Sequence, residues 1–69
     1  MNYPRISLKA ARVNANLTQR EAAEKLKISR STLKNYEDGR TSPTMETVRE
    51  MESLYNFPQD YIFFGNKYA

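Results

Sequence analysis

Cysteine and histidine are absent from this sequence, and glycine occurs only twice in its 69 residues. Without cysteine there are no disulfides. Without cysteine or histidine the favoured ligands of zinc are gone too, so neither a metal nor any other cofactor is expected. Stability must then come from packing alone. The missing thiols suit a reducing compartment, and no N-terminal segment joins a basic start to an apolar run, so a cytoplasmic location is expected. Long apolar stretches are lacking as well. The longest is Tyr61-Ile62-Phe63-Phe64, far short of the roughly 20 residues that cross a bilayer, so no membrane partner is expected. A chain of this length sits near the lower end of what one hydrophobic core holds together, which predicts a single domain over residues 1–69.

Net charge is only +3, but it is unevenly placed. Residues 1–40 carry nine Lys/Arg against four Asp/Glu, whereas residues 41–69 carry two against four. A basic half on a small domain attracts a polyanion, and nucleic acid is the commonest. On charge alone a solvated lysine-rich surface stays open.

No repeat or low-complexity tract occurs, and turn-forming residues separate short periodic segments. No run alternates apolar with polar residues over a useful length, so the fold class expected is all-α. The first helix is predicted to start near Ser7, to present Leu8, Ala11 and Ala15 to the core, and to stop at Asn16. Thr18-Gln19-Arg20-Glu21 reads as a capping box opening a second helix, with Ala22, Ala23 and Leu26 on one face. A break is needed around Lys27-Ile28, because Ser29 is a good N-cap for a third helix running from Arg30 to Glu37 and ended by Asp38-Gly39. Pro43 precedes a fourth helix carrying Met45, Val48, Met51 and Tyr55 inward, with Asn56 as its stop. Pro58 is placed to open a fifth, Gln59 to Phe64, closed by Gly65.

The second and third helices are separated by about three residues, the spacing of a helix-turn-helix. At about 100° per residue, Leu33 and Tyr36 fall on one side of the third helix, and Arg30, Ser31, Lys34 and Asn35 on the other. Such side chains suit base edges and phosphates: Arg grips guanine O6/N7, Asn grips adenine N6/N7, and Ser and Lys bond to either bases or backbone. Any amphipathic helix has a polar face, so this helix alone leaves an ordinary solvated surface equally open. Gln19, in the first turn of the preceding helix, and Arg40, in the loop beyond, add a phosphate clamp on both sides.

The string Leu17-Thr18-Gln19-Arg20-Glu21, Ser29-Arg30-Ser31-Thr32-Leu33 and Tyr36-Glu37-Asp38-Gly39-Arg40, with Pro43, resembles the Cro/C1-type helix-turn-helix family from about Leu8 to Gly65. The resemblance implies a compact five-helix, lambda-repressor-like domain that binds double-stranded DNA as a homodimer on a palindromic operator and regulates transcription, most often as a repressor. It implies that Gln19 holds phosphate, that Arg30, Ser31 and Asn35 read bases with Thr32 and Lys34 flanking them, and that Arg40 binds the backbone. It also implies a structural ion pair between Arg12 and Glu37; the alternative is that Arg12 contacts phosphate. The sequence departs from the family pattern at Lys27, where glycine is common, at Ala22, where a larger aliphatic residue is common, and at Glu52, where alanine is common.

Phe57, Tyr61, Ile62, Phe63, Phe64 and Tyr68 exceed what five short helices need inside. Phe63, Phe64 and Tyr68 are therefore expected at a dimer interface that sets two reading helices about 34 Å apart. The alternative is a tail folded over its own core. An antitoxin-like module gripping a protein partner is the strongest rival function, because the same fold serves it. RNA is disfavoured by the lack of an aromatic stacking platform on the reading helix. Catalysis is not expected: there is no histidine, cysteine or glycine-rich phosphate loop, and Glu21, Glu24, Glu46, Glu50 and Glu52 are accounted for as caps and helix-surface charges.

Overall fold

The computed structural model describes residues 6–58 and the backbone of residues 62 and 63. In chain order these form β1 (Ile6–Ser7), α1 (Leu8–Asn14), α2 (Gln19–Leu26), α3 (Arg30–Glu37), α4 (Met45–Tyr55) and β2 (Ile62–Phe63).

Each helix starts at a hydroxyl. The side chains of Ser7, Thr18, Ser29 and Thr44 accept from the backbone N–H of Ala10, Glu21, Thr32 and Thr47, respectively, and so satisfy donors that the first turn leaves unpaired. At α2 the box is closed in both directions, with Glu21 N–H to Thr18 Oγ1 at 3.0 Å and Thr18 N–H to Glu21 Oε1 at 2.9 Å. These bonds to the ionised carboxylate hold the Glu21 pKa below its ordinary value.

The helices end alike, on one residue in the left-handed region: Asn16 (φ 62°), Lys27 (φ 60°), Gly39 (φ 78°) and Asn56 (φ 53°). In each case the next amide reaches back five residues along the chain, Leu17 to Arg12, Ile28 to Ala23, Arg40 to Asn35 and Phe57 to Glu52, closing a Schellman turn. Lys27 adopts a left-handed backbone that glycine would take without a Cβ penalty, at a conformational cost of roughly 1 kcal/mol. The residue following each stop normally packs on its helix. Leu17, Ile28 and Phe57 do so, lying against the core.

Leu8, Ala11, Ala22, Ala23, Leu26, Leu33, Met51 and Tyr55 form one buried cluster. The alanines of α1 and α2 keep the helix backbones close, and α3 packs chiefly on α2.

Two expectations need correction. Residues Ile62 and Phe63 are extended, not helical: β2 pairs in parallel with β1, Ile6 opposite Ile62 and Ser7 opposite Phe63. Among the described residues there are thus four helices, and a β-branched residue next to an aromatic one favours the pleated alternative once a partner strand is at hand. The rest of the expected fifth helix lies outside the described residues, as do Gly65 and, of the expected dimer interface, Phe64, Tyr68 and the side chain of Phe63. Met45 is the second correction, because it is 58% exposed while Val48, Met51 and Tyr55 are buried. It is the first residue of α4, and helical side chains lean toward the N-terminus, here beyond the end of the packed face.

Tyr55 is buried, yet no described group accepts or donates a hydrogen bond at its hydroxyl. Burial, reinforced by the nearby Glu37 charge, pushes its pKa up to about 12. Because an unpaired buried polar group is destabilising, Tyr55→Phe is expected to hold or raise stability, by roughly 1 kcal/mol. The folded pKa lies above the ordinary value of 10.0, so the stability linked to this phenol is complete below that pH and is lost as pH rises toward about 12. Urea melts of both proteins between neutral pH and pH values above 10 check this. A neutral-pH loss in the variant would mean that the hydroxyl has a partner.

Candidate nucleic-acid interface

The side of α3 away from the core carries the polar array. Leu33 is completely buried and Tyr36 packs against the core cluster, whereas Arg30, Ser31 and Lys34 are exposed and Asn35 is half-buried one turn beyond Ser31. Thr32 is half-buried and occupied by the cap of its own helix, accepting from the Ser29 hydroxyl at 2.9 Å.

Gln19 comes from the first turn of α2 to meet this face. Together Gln19, Arg30, Ser31 and Lys34 line a shallow cleft of about 240 Å³. Two cations, an amide and a hydroxyl make it a receptor for anionic oxygens and polar edges, and the donors of the α2 N-terminus lie beside it. Asn35 and Arg40 are not part of the cleft wall but extend the polar surface along and past α3.

Arg40 is marked by the architecture itself. It follows the left-handed stop of α3, where the other three helices place an apolar residue against the core, and it is exposed. A position that local packing would give to leucine or isoleucine is thus held by a solvent-facing cation.

Behind the cleft lies an ionic network. Arg12 Nε donates to Glu37 Oε2 at 2.7 Å, and Arg12 Nη2 reaches Oε1 at 3.4 Å. Arg12 Nη1 donates to the Leu17 carbonyl at 2.8 Å, pinning the turn between α1 and α2. The two side chains are 8% and 3% exposed, so Arg12 faces the interior rather than solvent. Gln19 joins the network: its Nε2 donates to Glu37 Oε1 at 3.1 Å. One amide hydrogen is held by the buried carboxylate, and the same side chain lines the cleft.

Sequence reasoning missed two features. The bond from Gln19 to Glu37 links residues from different helices, and no local pattern announces it. The other is an ion pair along α3, Lys34 Nζ to Asp38 Oδ2 at 2.7 Å. Its i,i+4 spacing was a usable signal. This pair, followed by the charges of Arg40 and of Lys9 on α1, holds the Asp38 pKa below the usual carboxylate value.

Comparison with known proteins agrees with the geometry. Residues 8–62 match a family model described as helix-turn-helix. Over 55 residues, 80% of this chain, the sequence is 46% identical to the HTH-type transcriptional regulator ImmR of Bacillus subtilis (strain 168). The match covers 43% of that relative's length, so the chain spans less than half of it.

Proposed function

Since the chain belongs to the Cro/C1-type helix-turn-helix family, we propose that it binds double-stranded DNA sequence-specifically and regulates transcription, acting as a repressor through a homodimer on a palindromic operator. The observation that carries this reading is the exposed polar edge of α3 joined to Gln19 in one cationic cleft, while the apolar edge of the same helix is locked into the core. An α-helix fits the major groove, and a helix with Arg30, Ser31 and Asn35 along its outer edge presents groups that discriminate base pairs there. Gln19 and Arg40 then meet phosphates on either side, fixing the register in which α3 is read. No catalytic role is assigned to these groups: the module recognises and holds.

Selection from random duplexes with the purified protein tests the proposal. A symmetric site with two half-sites about one helical turn apart is the expected product, because a twofold dimer presents its reading helices at about that spacing. An asymmetric single half-site would refute the dimer while leaving recognition intact. With the selected duplex in hand, Asn35→Ala is expected to relax base choice at one position by about 1–3 kcal/mol. If relative affinities for variant operators stay unchanged, Asn35 does not read bases.

A further inference from the structure

Asp38 sets a carboxylate against a surface that otherwise offers cations and neutral donors. Folding does not account for it. As the residue that ends α3, it puts negative charge at the negative end of the helix dipole. The last carbonyls of α3 are already served by the amides of Asp38, Gly39 and Arg40. The pairing with Lys34 also runs in the less favourable direction, with the cation on the N-terminal side of the acid. What Asp38 does is hold the Lys34 ammonium at 2.7 Å, with side chains 62% and 38% exposed, in the presence of the charges of Arg40 and Lys9.

From this placement we infer that Asp38 is a specificity-determining residue: an internal phosphate mimic that occupies Lys34 until a cognate duplex displaces it. The inference rests on the reading of α3 as the duplex-facing helix. Non-specific binding is driven by cation–phosphate contacts and the counterions they release, so it scales with the number of free cations. A carboxylate that neutralises one of them weakens every duplex alike in the first instance. Only where base contacts from Arg30, Ser31 and Asn35 dock α3 fully is the exchange of Asp38 for a phosphate driven to completion. The cognate duplex recovers the Lys34 contact and a random duplex does not, which widens the ratio between them.

The test uses the full chain, the duplex returned by selection and a shuffled duplex of the same composition, titrated across salt concentrations. Asp38→Asn is expected to tighten binding to the shuffled duplex by about three- to tenfold, to tighten the selected duplex less, and to steepen the salt slope on the shuffled duplex by about 0.9, the contribution of one added phosphate contact. In a Lys34→Ala background the same change is expected to do nothing. Asp38→Ser, which shortens the side chain, should behave as the asparagine variant. Equal tightening with and without Lys34 would reduce Asp38 to a diffuse repulsive charge and overturn the inference, as would unchanged binding by Asp38→Asn. A wild-type protein that binds neither duplex would remove the functional reading itself.

Discussion

Glu37→Ala is expected to lose about 3–5 kcal/mol of stability, a large part of the few kcal/mol up to roughly 10 that a chain of this length holds in total. The reason is the Arg12 guanidinium, which is buried and spends its donors on Glu37 and on the Leu17 carbonyl. Removing the carboxylate strands a charge that is almost wholly shielded from water. The loss therefore comes from the partner left behind more than from the contact removed. The double variant Arg12→Met, Glu37→Leu separates the two contributions: with no charge stranded and the volume approximately kept, stability is expected to return to within about 1–2 kcal/mol of wild type. Denaturant melts followed by circular dichroism measure both. The same double variant should still bind DNA more weakly than wild type at equal foldedness, because Gln19 loses the carboxylate that orients its amide. If Glu37→Ala melts like wild type, the network is ornamental to the fold. If the double variant binds as well as wild type, Gln19 needs no orientation.

Leu33→Ala is expected to cost about 2–5 kcal/mol. Leu33 is 0% exposed and lies across α3 from Ser31 and Asn35. It is among the largest wholly buried side chains described, and truncation leaves a cavity between α3 and the helices on which it packs. The effect on binding should follow the effect on folding, because the side chain touches nothing outside the protein. Ser31→Ala is the contrasting variant: exposed, two positions away, and expected to stay within about 0.5 kcal/mol of wild-type stability while weakening duplex affinity. A Leu33→Ala protein as stable as wild type would mean that α3 is not anchored through this residue, and the presentation of the polar edge would need another cause.

Local chemistry was readable in advance wherever cause and effect lie within one turn of the chain. The Thr18–Glu21 box, the Ser29 cap, the start near Ser7, and the stops at Asn16, Gly39 and Asn56 all involve groups within five residues of one another, so residue order states them directly. The inward edge of α3 followed from periodicity because Leu33 and Tyr36 are the apolar residues at its centre. Thr44 was passed over as a cap because Pro43 drew the boundary one residue early. Periodicity failed at Met45 for a related reason: a repeat states which side a residue faces but not whether the facing wall extends that far. Residues Ile62 and Phe63 failed differently. Pro58 and Gly65 are fair helix limits, and nothing within the segment reveals that a strand from the other end of the chain will lie beside it.

By itself, then, the sequence determined where α1 to α4 begin and end to within about two residues, which edge of each is apolar, and that α3 carries a polar edge rich in donors. Those properties depend on backbone geometry and on hydrogen bonds between near neighbours, and they survive without knowledge of the rest of the chain. Tertiary structure alone decided that Gln19 is held by Glu37, that Gln19, Arg30, Ser31 and Lys34 share one cleft, and that Ile6 pairs with Ile62. Such contacts require distant segments to be brought within a few ångströms. The ordering of those segments is driven by burial of the common core, whose apolar pressure has no direction of its own and takes its geometry from how the helices pack.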